Sequence, residues 1–179
     1  MEKKEFLNLK GTYKRVPLYK VVKAKNQHPI DIYEIFMSSG SYFLESAEID
    51  MKWGRYSIIG LPSNNYLKVK DGKIYLKNEK NEEIIDSDDP LEFIKDFLKE
   101  NYYPPSKELP IFSGGLVGFF GYETIRLIET RLKNSSKRDQ LNIEDIHLLI
   151  SNKVIVFDNL EKTIKVVFFA DPSVENSYE

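Results

Sequence analysis

The segment Tyr66-Leu67-Lys68-Val69-Lys70-Asp71-Gly72-Lys73-Ile74-Tyr75-Leu76-Lys77 alternates apolar and polar residues on both sides of an Asp-Gly pair. A period of two sends Leu67, Val69, Ile74 and Leu76 to one face of a ribbon and the lysines to the other. An Asp-Gly pair accepts the positive φ that a two-residue hairpin turn requires. Antiparallel pairing is therefore fixed here, and it recurs. Val154 to Phe157 and Ile164 to Phe169 form a second hairpin about Asp158-Asn159-Leu160-Glu161. Single helices stand between such ribbons. His28-Pro29 opens one, with Ile32, Ile35 and Phe36 as its apolar face and Gly40 as its end. Asp89-Pro90-Leu91-Glu92 opens another, with Asp89 as N-cap, Pro90 at the first position and Leu91, Ile94 and Leu98 facing a core. Hairpins mixed with single helices, without regular strand–helix alternation, predict an α+β fold with antiparallel sheets.

The remaining segments fit that class. Pro17 to Ala24 reads as a strand, and His147 to Ile150 as a short apolar one. Ile111 to Tyr122 is apolar, and its glycines at 115, 118 and 121 point to close backbone approach or bulges. Glu123 to Leu132 has helical character about Ile125 and Ile128, with Glu123 and Arg126 spaced to pair. Glu82, Glu83, Asp86, Asp88 and Asp89 precede a helix, where carboxylates favour the positive end of its dipole. Residues 1–12 are charged and unpatterned and read as a mobile start, 13–170 as one domain, and 171–179 as the start of a linker. Lys133 to Gln140 reads as a flexible polar loop, and Ser177-Tyr178-Glu179 as the start of a helix.

Composition excludes several chemistries. With 179 residues and a net charge of -2, the chain lacks the strong basic balance of a nucleic-acid binder. The absence of cysteine removes disulfides, thiolate catalysis and cysteine metal sites. Met-Glu-Lys-Lys-Glu is not the apolar run of a signal peptide, and no stretch approaches membrane-spanning length, so a cytoplasmic location is expected. The two histidines, His28 and His147, have no ligand-like spacing. The block Gly114-Gly115-Leu116-Val117-Gly118-Phe119-Phe120-Gly121 matches neither the dinucleotide fingerprint nor the phosphate loop. Ser113 lacks the glycine two positions before it that a nucleophile elbow needs.

The polar residues that invite a function lie between Phe43 and Gly60. Phe43 to Ser46 and Arg55 to Ile59 read as two strands facing each other across a turn-rich segment. Glu45 and Ser46 are adjacent, so an extended strand aims them at opposite faces and one is expected to point inward. Glu45, Ser46, Arg55 and Tyr56 admit two readings. One is a local hydrogen-bond network that stabilises a hairpin. The other is a small amino-acid site, in which a carboxylate meets an ammonium, a hydroxyl takes either role and a cation meets a carboxylate.

Three blocks carry a family resemblance. Leu44-Glu45-Ser46-Ala47 with Trp53-Gly54-Arg55-Tyr56-Ser57-Ile58-Ile59-Gly60 is similar to the N-terminal part of anthranilate synthase component I. Gly114 to Arg126 forms a second matching block, and Asp145-Ile146-His147-Leu148-Leu149 running on to Val154-Ile155-Val156-Phe157-Asp158 a third. The resemblance implies a layered α/β/β/α arrangement and a feedback site for tryptophan that includes Leu44, Glu45 and Ser46. Arg55 and Tyr56 stand near the position of a basic residue that some members use. It further implies that chorismate, Mg2+ and the catalytic groups belong to a C-terminal chorismate-binding portion. This stretch is thus expected to be a fragment, inactive alone and without catalytic residues. A glutamine amidotransferase subunit is the implied partner, and nucleic acid and membrane are not. Two other readings stay open: the equivalent part of aminodeoxychorismate synthase component I, or a free-standing binding or scaffold domain.

Overall fold

A computed structural model describes residues 1–45, 54–104, 107–132 and 142–179. In chain order the first elements are α1 (Lys3–Leu7), β1 (Val16–Lys23), α2 (Pro29–Phe36), β2 (Tyr42–Leu44) and β3 (Tyr56–Gly60). They are followed by β4 (Tyr66–Lys70), β5 (Lys73–Lys77), β6 (Glu82–Asp86), α3 (Pro90–Asn101) and β7 (Gly115–Phe120). The last are α4 (Ile125–Ile128), β8 (Ile146–Ser151), β9 (Lys153–Asp158) and β10 (Thr163–Ala170). The strands form two sheets, and the α+β class with antiparallel pairing is borne out.

The chain divides into two compact units. The first comprises Met1–Ser63, Lys99–Gly115 and Ser151–Glu179. Its sheet has the order β1-β10-β9-β3-β2. Ile59, Ile155, Phe157 and Ile164 form a core on one face, with Ile32 and Tyr33 of α2 and Phe43 packed against them. On the other face Ile58, Val154, Val156 and Val167 pack with Leu109, Phe112, Tyr42 and Tyr56. Successive residues of a strand point to opposite sides, so a sheet covered on both faces needs continuous apolar runs such as Val154-Ile155-Val156-Phe157. Helix α2 forms where its sequence predicts, but not with the expected face. Ile35 is 75% exposed, and Tyr33 takes the inner position, stacked on Phe43 with centroids 5.4 Å apart. At the chain start, α1 buries Phe6 completely, its ring 5.5 Å from that of Tyr178. Residues 171–179 form turns rather than the expected helix start, with the Ser177 hydroxyl donating to the Asp171 carbonyl at 2.6 Å.

The second unit comprises Asn64–Leu98 and Leu116–Ile150. Its sheet has the order β6-β5-β4-β8-β7. The first hairpin forms in the register that its alternation dictates, Tyr66 opposite Lys77 and Lys70 opposite Lys73. Asp71 and Gly72 have φ of 50° and 75°, the left-handed pair that this turn type needs. Leu67, Val69, Ile74, Ile146, Leu148 and Ile150 are buried. Gly118 provides the close approach expected of it, because a Cβ there would lie 1.8 Å from the His147 carbonyl oxygen. The acidic run at Glu82 is corrected: Glu82–Asp86 is the edge strand β6, paired with β5, and Asp89 is the residue that caps α3. The inner face of α3 carries Ile94 and Phe97, while Leu98 is 37% exposed, contrary to expectation. The Glu123 to Leu132 segment is helical only in short pieces, two 3-10 turns about α4, and Arg126 pairs with Glu123 at 2.5 Å. The loop expected at 133–140 lies outside the described residues. No helix among the described residues is long and apolar enough to cross a membrane.

Candidate functional site

The candidate residues meet at one end of the first unit's sheet. Strands β2 and β3 pair as the sequence suggests, Phe43 opposite Ile59 and Leu44 opposite Ile58. This brings Glu45, just past the end of β2, beside Ser57. The Ser57 hydroxyl donates to Glu45 Oε1 at 3.0 Å. The Ser57 Oγ itself accepts from Asn159 Nδ2 at 3.1 Å. Ser57 is fully buried, whereas Glu45 is exposed. A buried hydroxyl must be hydrogen-bonded, and here both of its roles are filled.

Arg55 faces the hairpin between β9 and β10. Its Nε donates to Asp158 Oδ1 at 2.9 Å and a terminal nitrogen donates to Oδ2 at 2.6 Å, a two-pronged pair. Glu161 lies 3.8 Å from the same guanidinium, which also stands 5.0 Å from the centre of the Tyr56 ring. Asp158 is buried and accepts in addition from the backbone N–H groups of Leu160 and Glu161, at 3.2 and 3.1 Å. Burial alone would raise its pKa. The hydrogen bonds from Arg55 and from the two backbone N–H groups outweigh burial and hold the carboxyl below the usual aspartate value.

The sheet thus gathers four of the five residues singled out in the sequence, but on two faces. Glu45 shares the side of Ser57, while Tyr56 lies on the side of Ile58, as alternation places Leu44. Leu44 is 43% exposed. Ser46 lies outside the described residues. Sequence reasoning missed Ser57, Asp158 and Asn159 as members of this cluster. The available signal was Asp158-Asn159 at the tip of a recognised hairpin, two residues suited to holding turns through their side chains.

Two further polar groups lie in the same unit. Tyr42 and Ser151 share a hydrogen bond of 2.7 Å, and burial pushes the Tyr42 phenol up to about 12. The Tyr102 hydroxyl donates to Asn152 Oδ1 at 3.0 Å, and burial likewise raises it to about 12. At the opposite edge of the sheet, Pro17, Leu18 and Val22 of β1, Phe168 of β10 and Tyr178 line an open groove of about 680 Å3. Among the described residues there is no group of three or more His, Cys, Asp or Glu side chains that could hold a metal ion.

Comparisons with known proteins agree with this architecture. A crystal structure of anthranilate synthase component I from Streptococcus pneumoniae matches with a TM-score of 0.50 and 24% identity, over 88% of this chain and 32% of that one. At that identity it establishes a shared fold. No family model matches. Anthranilate synthase component 1 of Pseudomonas aeruginosa is 42% identical over 182 residues, covering 100% of this chain and 37% of the relative. The Aquifex aeolicus protein of the same name is 34% identical over 181 residues, covering 98% of this chain and 36% of the relative. The family resemblance read from the three sequence blocks is borne out. The chain is homologous, along its length, to a segment of anthranilate synthase component 1. It spans little more than a third of the length of these relatives, 37% and 36%.

Proposed function

We propose that this chain is the tryptophan-binding, regulatory part of an anthranilate synthase component I. In this reading the whole enzyme is a cytoplasmic lyase of tryptophan biosynthesis. It converts chorismate to anthranilate and pyruvate with ammonia that an amidotransferase subunit releases from glutamine. Mg2+ and the catalytic groups are supplied by other parts of that protein. The names of the relatives support the anthranilate branch over aminodeoxychorismate synthase.

The observation that supports a regulatory site is the Glu45 carboxylate, exposed at the end of β2 and bonded on one oxygen to buried Ser57. A carboxylate fixed in this way suits the ammonium of an amino acid, and Ser46, the next residue in the sequence, offers a hydroxyl of the kind that suits the carboxylate end. The charge of Arg55 is already met by Asp158, so Arg55 acts here as a buttress beside Tyr56. Tryptophan bound at this end of the sheet lowers chorismate affinity by favouring one of two states of the enzyme. Such coupling requires unequal affinity for the two states.

Calorimetric titration of the purified chain with L-tryptophan tests the reading, with L-phenylalanine as control and Ser46→Ala as a second protein. Saturable binding of tryptophan alone, weakened by the substitution, is the expected result. Absence of binding by the unsubstituted chain overturns the claim that these residues hold the regulatory ligand.

A further inference from the structure

We propose that Ser57 and Asn159 are positioning residues that set the direction of the Glu45 carboxylate toward the ligand's ammonium, an inference that rests on the amino-acid-site reading above. Its basis is the one-way sense of the hydrogen bonds. The Asn159 Nδ2 group can only donate, so the Ser57 oxygen to which it is bonded at 3.1 Å acts as acceptor. The Ser57 proton is then left for Glu45 Oε1, 3.0 Å away, where a carboxylate can only accept. The relay therefore runs Asn159 to Ser57 to Glu45 and fixes one oxygen of an otherwise exposed side chain.

Its anchors are rigid. Ser57 is fully buried in β3, opposite Phe157 in the ladder, and Ile59 of the same strand belongs to the core packed beneath α2. The Asn159 backbone N–H donates to the Arg55 carbonyl at 2.8 Å, which ties the tip of the β9–β10 hairpin to the start of β3. A glutamate on an open strand end would sample several rotamers, and freezing such a side chain on binding costs conformational entropy. The relay removes that cost before the ligand arrives.

The test compares two ligands on the full chain. L-tryptophan carries the ammonium, whereas indole-3-propionate keeps the ring and the carboxylate but lacks it. Ser57→Ala is expected to weaken L-tryptophan roughly tenfold, the size of a lost hydrogen bond to a charged group. Indole-3-propionate should be unaffected, Ser57→Thr should restore binding, and Glu45→Gln combined with Ser57→Ala should be no worse than Glu45→Gln alone. Asn159→Ala, at a less buried site, should repeat the selective loss if Ser57→Ala proves too unstable to titrate. Equal weakening of both ligands, or additive losses in the double variant, overturns the positioning role while leaving the site itself intact. Failure of the unsubstituted chain to bind L-tryptophan removes the site, and this assignment with it.

Discussion

Arg55 and Asp158 stand 103 positions apart in the sequence and meet through two hydrogen bonds of 2.9 and 2.6 Å. The pair fastens the start of β3 to the last residue of β9. It also makes the ionised form of Asp158 part of what holds this end of the sheet together.

Because its pKa is depressed in the folded state, the Asp158 carboxylate stabilises the fold above the unfolded aspartate value of about 3.9, and that contribution is lost as pH falls through the lower folded value. Thermal melts should show Tm declining steeply below about pH 4. In Asp158→Asn the acid-side decline should be shallower and the neutral-pH stability lower by about 1–3 kcal/mol, from donors left without an acceptor. An unchanged acid limb in the variant would show that other carboxylates control acid unfolding.

His147 lies in β8, where burial, then the charge of Lys68, lower its pKa, opposed by Glu144. A histidine with a lowered folded pKa binds fewer protons when folded. It is therefore neutral to stability above about pH 6.5, and costs stability as pH falls from there through its folded value. Following the imidazole proton by NMR should give a midpoint below 6.5. His147→Gln should flatten the stability profile on the acid side of neutrality. A midpoint at or above the ordinary value would refute the assignment.

Two glycines separate two causes of strain. Gly72 has φ of 75° with open space around its Cα, so Gly72→Ala should cost only the left-handed penalty, about 1–2 kcal/mol. Gly118→Ala meets the His147 carbonyl oxygen at 1.8 Å. Backbone on both sides cannot yield easily, so the loss should reach or exceed the upper end of the ~1–3 kcal/mol typical of overpacking. Urea denaturation of both variants ranks them, and the reverse order would mean that β7 can move away from β8.

Phe6 is fully buried although it lies in a helix of 5 residues near the chain start. Phe6→Ala should lower stability by about 3–5 kcal/mol, as for other buried aromatic side chains. A loss near zero in chemical denaturation would mean that α1 detaches before the rest unfolds.

Local patterns in the sequence were the legible part. The Asp71-Gly72 hairpin, the Asp89 cap and the Glu123–Arg126 pair each turn on residues close in sequence, and each follows from period, turn chemistry or reach; the β2–β3 pair follows from two β-favouring runs joined by a turn-rich segment. What stayed hidden depends on side-chain partners that the local pattern does not specify. Tyr33 rather than Ile35 turns inward because Phe43 offers it a stacking partner. Strand β6 is disguised by its acids, since an edge strand beside Lys77 and Lys73 pairs Glu82 and Asp86 with those lysines. Of the candidate site, Glu45 and Arg55 could be picked out, but Ser57, which bonds Glu45, takes its own donor from Asn159, 102 positions on, and Arg55 meets Asp158 across 103.

The first unit's sheet has an order that matters while the chain is being made. Among the described residues strand β1 pairs only with β10, Val16 opposite Ala170, and β3 leans on β9. On the ribosome, β1 must wait unpaired until β10, Thr163–Ala170, has emerged. The hairpins of the second unit, whose partners are close in sequence, can close in the interval. Long-range closure of this kind is slow and leaves strand edges open to neighbours. The hydrogen-bonded chain from Asn159 through Ser57 to Glu45 is completed equally late: translation must pass Asn159 before the Ser57 oxygen gains its donor.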